Sequence, residues 1–284
     1  MKVLVTGASG FVGSNLVHVL RDRCDVLAPS HADLDLTTQV PERVDAIVHA
    51  AIWNDPAGLK SDRRRAWDGY VEATRNCVRS GAHVVLISTD WVFDGTQGPA
   101  PEDEPPNPIN AYGFLKAASE LVVLEAGGTV ARIAGVQGVH RARAGGGGFP
   151  RAQDAGFGYL VASVVDALSA GRAFTVWDSP EINRLATPVL ATDAAELIWR
   201  ALEREAAGIL HCVGSEHIDR VELARRAVAA FDLDPDLLQV GAPPVQRERI
   251  PYDTRLDATQ TAERLDVTLP DVDALLKGLA WAST

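Results

Sequence analysis

The sequence has few of the features that mark nucleic-acid-binding or membrane proteins. Its 27 lysines and arginines are outnumbered by 38 acidic residues, which gives a net charge of −11. Binding to nucleic acid or to an anionic membrane surface needs the opposite charge balance. No stretch of the chain approaches the roughly 20 apolar residues that cross a bilayer. We therefore expect neither a nucleic acid nor a membrane as a partner.

Cysteines are also scarce. Cys24, Cys77 and Cys212 are odd in number and show no CxxC spacing, so they suggest neither a disulfide framework nor a zinc site. We expect no metal and reduced thiols. The first residues, MKVLVTGASG, lack the apolar region and cleavage site of a signal peptide, and a cytoplasmic location is the expectation that follows.

Apolar, β-rich runs such as KVLVTG, VDAIVHAA and HVVLIST alternate with helix-like segments through the first half of the chain. Two of the predicted helices are FVGSNLVHVLRDR and DRRRAWDGYVEATRNCVRS. This alternation predicts an α/β fold of Rossmann type, a doubly wound parallel sheet covered by helices. We expect residues 1–135 to form the sheet domain. Residues 136–284 are expected to form a smaller, substrate-binding lobe interwoven with it, and its glycine-rich start is either a lid or a plain linker.

The segment VLVTGASGFVGSNL places Gly7, Gly10 and Gly13 between an apolar strand and a helix. Glycine at these positions permits a tight turn, close approach of a pyrophosphate and close packing of helix on strand. The helix N-terminus offers free N–H groups to phosphates. The motif predicts a dinucleotide site, the alternative being merely a tight turn. Further cofactor contacts are expected from Phe11, Val12, Ala50 and Ala51.

The second strand ends in DVLAPSHADLDL, which has no acidic residue directly at the strand tip. A carboxylate there would bind the ribose 2′-hydroxyl of NAD and repel a 2′-phosphate. Ser30 and His31 tolerate that phosphate, which favours NADPH over NADH, although His31 could be an ordinary loop histidine. Asp35 would meet the adenine or cap the following turn.

Tyr112 and Lys116 lie four residues apart in NPINAYGFLKAASE. Pro108 and Asn110 predict a helix start, and a helix places both side chains on one face. An ammonium beside a phenol favours the phenolate and lowers the tyrosine pKa. The spacing therefore predicts a proton donor and its tuning lysine, or a chance pair on a helix surface.

The segments TGASGFVG, ISTDWVFDG and YGFLKAASE, in this order, resemble the extended short-chain dehydrogenases/reductases, and among them the dTDP-4-dehydrorhamnose reductases. The resemblance implies that Thr89 is the catalytic hydroxyl, Tyr112 the proton donor and Lys116 the ribose-binding lysine, with Glu120 in a structural position. It implies NADPH-dependent reduction of a keto group, at C4 in that group of enzymes, on a nucleotide-activated deoxysugar. Related enzymes are often homodimers.

The sequence also departs from this family. Tyr70 stands where the family has asparagine, and after the fifth strand only Arg132 remains of a family pattern that shapes the substrate pocket. Trp91 occupies the position of the glutamate of a 4,6-dehydratase, which favours reduction over elimination. The 2′-phosphate-tolerant loop argues against an NAD-dependent epimerase. A non-catalytic, NADP-binding regulatory subunit, like that of methionine adenosyltransferase, and an extended enzyme acting on another substrate remain the alternatives.

Substrate contacts are expected after the fourth strand and in the glycine-rich segment. The candidates are Ser88, Asp90, Trp91, Arg141, Arg143 and Arg151. The arginines could bind a diphosphate or be solvated. Ser88 is expected to pack or cap, and Asp90 to brace its loop. Trp53 and Trp91 either line the pocket or pack as core or lid residues, and His140 is interpreted as an ordinary loop residue.

Overall fold

A six-stranded parallel sheet forms the centre of the protein. The computed structural model describes residues 1–142, 153–154, 156–245 and 248–282. The sheet has the strand order β2-β1-β3-β4-β5-β8, and all of its pairs are parallel. The strands are β1 (Lys2–Thr6), β2 (Asp25–Leu27), β3 (Ala46–His49), β4 (His83–Thr89), β5 (Thr129–Ile133) and β8 (Gly208–His211).

Helices bury both faces of this sheet. Along β1, Val3 and Val5 join the cluster that includes Leu16 of α1 (Phe11–Leu20), together with residues of α7 (Ala191–Glu203). Leu4 points to the opposite cluster, which includes Val123 of α5 (Ala111–Glu125). The alternation follows from the two-residue period of a strand. It explains why the strands read as continuous apolar runs, and it confirms the predicted Rossmann-type fold.

The helical segment before β4 is interrupted where the sequence predicted one continuous helix. It consists of α2 (Gly58–Ser61), α3 (Arg63–Trp67), a π-helical turn at Asp68–Glu72 and α4 (Ala73–Arg79). Trp53 packs so closely over the turn that a Cβ atom on Gly69 would lie 2.7 Å from the Cβ of Trp53. The hydroxyl of Thr74 donates to the carbonyl oxygen of Tyr70 at 2.7 Å and supports the widened turn. Single π turns of this kind occur often at functional sites.

The second half of the chain builds a smaller lobe and also completes the sheet, because α7 and β8 belong to the central layers. In the lobe, α6 and α8 pack together around an apolar cluster that includes Leu160 and Leu223. Its elements are α6 (Leu160–Ser169), β6 (Phe174–Trp177), β7 (Leu185–Ala186), β9 (Ile218–Asp219), α8 (Arg220–Ala230), β10 (Leu238–Gly241), β11 (Asp253–Thr254), α9 (Thr259–Leu265) and α10 (Val272–Ala282), with short 3-10 turns at Asp90–Val92 and Pro235–Leu237. Within the described ranges, none of the helices combines the length and apolarity that crossing a membrane requires.

Candidate active site

The glycine turn after β1 has the close backbone packing that its sequence predicts. Gly7 has φ +70°, and a Cβ atom there would lie 2.7 Å from the backbone nitrogen of Ala51. A Cβ atom on Gly13 would lie 2.1 Å from the carbonyl oxygen of Gly7. Side chains are therefore excluded at both positions, and α1 lies directly against the turn.

The start of α1 is open to an anion. Gly10 is its N-cap with no side-chain hydrogen bond, and the first turn carries no acidic residue. The neighbouring cavity of about 310 Å³ is lined by Phe11, Val12 and Ala50. The cavity lies beyond the ends of β1 and β3. Here the strand order reverses, since β2 and β3 lie on opposite sides of β1, and ligands usually bind at such a point in parallel sheets. These residues fit a dinucleotide.

The loop after β2 contains an acid that its sequence did not suggest. Asp33 returns to the strand tip through a turn, and its carboxylate accepts hydrogen bonds from the Ser30 hydroxyl (2.6 Å) and the Ser30 N–H (3.1 Å). His31 is exposed, with its Nδ1 atom 4.0 Å from a carboxylate oxygen of Asp35. Asp35 itself accepts from the hydroxyl (2.7 Å) and the N–H (2.9 Å) of Thr37, so it stabilises its own turn.

Thr89, Tyr112 and Lys116 meet in the same cavity as Phe11 and Val12. Thr89 ends β4, and the other two lie on α5, which begins after Asn110. The side chain of Asn110 accepts a hydrogen bond from the N–H of Gly113 at 2.9 Å, as an N-cap should. The cavity thus joins the glycine turn to the predicted catalytic side chains.

The pKa of Tyr112 differs from the sequence expectation. Burial raises it to about 12, and a hydrogen bond with the Thr89 side chain acts in the opposite direction. Lys116 does not lower it, because its ammonium donates instead to the carbonyl oxygen of Ile87 at 2.7 Å. Tyr112 is therefore a neutral phenol, and hence a proton donor, at neutral pH.

Lys116 is almost fully buried, with 4% of its surface exposed. Burial lowers its pKa to about 8, and the nearby Glu120 partly opposes that shift. Glu120 is itself held in a buried ion pair with Arg132, with Nη2 to Oε2 at 2.8 Å. Ser88 also donates its hydroxyl to Glu120. Ser88 thus lines the cavity, but its hydroxyl is already bonded to the buried Glu120–Arg132 ion pair.

Asp90 is buried and connects two loops. Its carboxylate accepts from the Thr89 hydroxyl at 3.0 Å and is also hydrogen-bonded to the side chain of Thr254. Burial raises its pKa to about 6. These contacts agree with a bracing role. Its neighbour Trp91 packs edge-to-face on Tyr112, with ring centroids 6.0 Å apart.

Tyr70 contacts Tyr112 from a different direction, with centroids 6.2 Å apart and rings at 80°. The residue that replaces the family asparagine is therefore part of the site. Of the two tryptophans considered from the sequence, Trp91 lines the cavity. Trp53 instead packs against Gly69 and lies under the guanidinium of Arg65, 4.8 Å from the ring centroid.

The smaller lobe supplies a wall that the sequence interpretation missed. Asp154, Gly156, Phe157, Gly158 and Tyr159 all line the cavity, and the ring of Tyr159 lies 4.8 Å from that of Phe11. Arg220 is fully buried and donates to the carbonyl oxygen of Asp154 at 3.0 Å. No short-range pattern connects residues so far apart in the chain.

The basic residues of the glycine-rich segment were expected near a substrate diphosphate. Arg141 donates instead to the side-chain oxygen of Asn15 on α1 at 3.1 Å. Arg143 and Arg151 lie outside the described residues. His140 is buried, with its ring centroid 6.2 Å from that of Phe11.

Comparisons with known proteins agree with this geometry. Residues 1–152 match the family model described as RmlD substrate binding domain. The chain is 30% identical over 263 residues to dTDP-4-keto-6-deoxy-D-glucose reductase of Streptomyces niveus, covering 87% of this chain and 83% of that protein. It is 29% identical over 290 residues to methionine adenosyltransferase 2 subunit beta of Bos taurus, covering 91% and 81%. The structure of dTDP-4-dehydrorhamnose reductase from Bacillus anthracis in complex with NADP superposes with a TM-score of 0.77 at 20% identity, covering 99% of this chain and 97% of that one.

Proposed function

The chain belongs to the RmlD-like branch of the extended short-chain dehydrogenases/reductases, and from that premise we propose that it reduces a keto group, at C4, of a dTDP-activated deoxysugar with NADPH. The observation that carries the proposal is that Thr89, Tyr112 and Lys116 line the same cavity as the start of α1. A cavity of about 310 Å³ is in the range of small-molecule sites.

The chemistry assigned to the side chains follows from their protonation states. A nicotinamide dinucleotide, when bound, supplies the hydride. Tyr112, a neutral phenol at working pH, gives its proton to the substrate carbonyl oxygen. The Thr89 hydroxyl, which interacts with the Tyr112 phenol, hydrogen-bonds the same carbonyl oxygen. The ammonium of Lys116, buried beside the site, donates to the carbonyl oxygen of Ile87 and so holds the helix that carries Tyr112 against the strand that carries Thr89.

The preference for NADPH rests on the loop after β2. Its exposed His31 imidazole is the group that we assign to a 2′-phosphate, whereas the Ser30 hydroxyl already donates to the carboxylate of Asp33. Asp33 and Asp35 lie in that loop too, and their negative charges suit the hydroxyl of NADH. We propose NADPH as the donor on the basis of the exposed His31, with NADH as the alternative that the carboxylate of Asp33 near the strand tip supports.

The substrate assignment rests on the Streptomyces relative, whose name states a dTDP-4-keto-6-deoxyglucose reductase. Trp91 supports reduction over elimination, because it places an indole rather than a carboxylate beside Tyr112. We assign the substrate-binding role to the lobe of residues 136–284, because Asp154 and the four residues 156–159 line the cavity. The cofactor role falls to residues 1–135.

The bovine relative is named methionine adenosyltransferase 2 subunit beta, and the second candidate function is therefore that of a non-catalytic, dinucleotide-binding subunit. The test is to measure NADPH oxidation by the purified protein with a panel of dTDP-4-keto-6-deoxysugars, and NADPH affinity by calorimetry in parallel. Turnover of one or more sugars, with product verified by mass spectrometry, supports the reductase. Normal NADPH binding without any turnover would contradict it and favour the regulatory subunit.

A further inference from the structure

A second, smaller cavity of about 140 Å³ adjoins the first at Tyr112. Ile52, Trp91 and Tyr112 line both cavities. The ammonium of Lys60 and the carboxylate of Glu248, which also line the smaller cavity, form an ion pair at 2.7 Å. The shared residues connect the smaller cavity to Tyr112, where the proposed function places the substrate carbonyl oxygen.

The wall of the smaller cavity is largely apolar, with Ile52, Pro56 and Leu59 among its residues. Two of its polar side chains are occupied by the backbone. Asp55 accepts from the N–H of Gly58 at 3.0 Å, and Asn110 both accepts from the N–H of Gly113 and donates to the carbonyl oxygen of Arg249. Neither is an obvious partner for a sugar oxygen.

Tyr70 differs from these two side chains, and also from Asn54 of the same wall, which is exposed. It is 97% buried, since only 3% of its surface is exposed, and it lines the smaller cavity. Its hydroxyl makes no hydrogen bond to any residue within the described part of the chain. The hydroxyl is not among the fully enclosed polar atoms of the described residues that lack a partner, so it opens onto the cavity, where it can donate to a ligand oxygen.

The π-helical turn at Asp68–Glu72 places Tyr70 here. Its ring packs edge-to-face on Tyr112, and the ammonium of Lys116 lies 5.8 Å from its centroid. Burial, and then the neighbouring Tyr112 phenol, raise the pKa of Tyr70 above its usual value. Tyr70 therefore remains a neutral hydrogen-bond donor across the working pH range, next to the phenol that transfers the proton.

We propose that Tyr70 determines substrate specificity by donating a hydrogen bond to the oxygen substituent on the ring carbon next to the reacting carbonyl. This inference rests on the proposed function, since it takes Tyr112 as the group that meets the carbonyl oxygen. Oxygens on adjacent ring carbons are neighbours, and the rings of Tyr70 and Tyr112 are also neighbours, with centroids 6.2 Å apart. In a 4-keto-6-deoxyglucose the substituent is the 3-hydroxyl, because the other neighbouring carbon carries the methyl group.

A purely mechanical role for Tyr70 makes a different prediction. If its ring only supported Tyr112 and Lys116, Tyr70→Phe would keep the ring and leave the kinetics unchanged for every substrate. If the ring tuned the acid, the change would affect all substrates equally. If Tyr70 instead donates a hydrogen bond to the substrate, Tyr70→Phe should affect only substrates that carry the accepting oxygen. Wild type should then discriminate against an analogue that lacks this oxygen.

The experiment compares wild type, Tyr70→Phe and the control Tyr252→Phe, whose tyrosine is exposed. Each is measured with dTDP-4-keto-6-deoxy-D-glucose and with its 3-deoxy analogue. Tyr70→Phe is expected to lower kcat/KM for the 3-hydroxy substrate by about three- to tenfold, the effect of one hydrogen bond. Its kcat/KM for the 3-deoxy substrate and its NADPH affinity should match those of wild type.

Equal effects of Tyr70→Phe on both substrates, or no effect on either, would overturn the role of Tyr70. Affinities of the two sugars, measured by calorimetry, give the same comparison without turnover. An inactive wild type with normal NADPH binding would overturn the reductase assignment. A weaker binding of the 3-hydroxy sugar alone by Tyr70→Phe would then still support the contact, and unchanged binding of both sugars would refute it.

Discussion

The ammonium of Lys116 donates a hydrogen bond to the carbonyl oxygen of Ile87 at 2.7 Å. This bond joins the middle of α5 to the end of β4, two residues before Thr89. It fixes the helix that carries Tyr112 relative to the strand that carries Thr89. The lysine therefore has a positioning function that does not depend on a direct contact with Tyr112. Its charged group is buried.

We expect the rate of reduction to fall as the pH rises through about 8. Burial lowers the pKa of Lys116 to about 8, so the ammonium is present below that pH and is lost above it. Tyr112 has a pKa of about 12 and remains protonated throughout. The measurement is kcat as a function of pH with saturating substrates. A rate that stays level well above pH 8 would show that the charge of Lys116 is not needed.

Tyr112→Phe is expected to reduce kcat by about 10²- to 10⁴-fold, the usual contribution of a positioned general acid. The ring contacts with Trp91 and Tyr70 are retained, so the thermal unfolding temperature and NADPH affinity should change little. Steady-state kinetics and calorimetry measure these effects. Undiminished turnover would mean that the substrate receives its proton from another group.

Glu120→Gln is expected to affect both stability and pH dependence. The change leaves the fully buried Arg132 without its anionic partner, which costs about 3–5 kcal/mol of unfolding free energy. It also removes the carboxylate that raises the pKa of Lys116, so the alkaline fall in rate should begin at lower pH.

Denaturant titration and the pH profile of kcat measure the two effects of Glu120→Gln. The matched control is Glu125→Gln, an exposed position of the same helix, which should alter neither. A stable variant with an unshifted profile would contradict both expectations.

Local sequence signals were sufficient for the parts of the site that lie next to each other in the chain. The glycine turn, the N-cap Asn110 and the spacing of Tyr112 and Lys116 each depend on a few neighbouring residues. The strand that ends at Thr89 was recognisable because both faces of the sheet are buried. The order of these motifs then indicated the fold and the family.

Other parts could not be predicted because they depend on contacts between distant segments. The helical period around Tyr70 indicated a regular helix, whereas packing of Trp53 over Gly69 accompanies a π turn. Asp154 reaches the cavity through a loop held by the buried Arg220. A turn likewise brings the carboxylate of Asp33 back to the tip of β2. The apolar pattern of the strand does not predict that turn, so the negative charge at the strand tip was missed.

His31→Asp is expected to shift cofactor preference from NADPH toward NADH. The exposed imidazole can offer a positive charge to the 2′-phosphate, and an aspartate would add a third carboxylate to the loop that contains Asp33 and Asp35. Such a charge repels a phosphate and accepts a hydrogen bond from a ribose hydroxyl. The ratio of kcat/KM for the two cofactors is the measurement. An unchanged ratio would indicate that the loop after β2 does not contact the 2′ position.

Gly10→Ala and Gly13→Ala should separate cofactor binding from folding. A Cβ atom on Gly13 would lie 2.1 Å from the carbonyl oxygen of Gly7, whereas one on Gly10 would meet only that oxygen, at 3.2 Å. Gly10 is exposed and has φ −80°, which alanine adopts readily. Gly10→Ala should therefore keep the stability of wild type but bind NADPH more weakly, because its methyl group would occupy the approach to the helix N-terminus.

Gly13→Ala should instead lower the thermal unfolding temperature of the protein without ligand, because the backbone of the turn would have to move away from α1. Thermal unfolding without NADPH, followed by NADPH titration of each variant, measures the two effects independently. The opposite result, a stable Gly13→Ala protein or a Gly10→Ala protein with undiminished NADPH affinity, would contradict this division. Gly10→Ala tests the phosphate site at the start of α1, and Gly13→Ala tests the packing of α1 against β1. Together they show which glycine is needed for cofactor binding and which for folding.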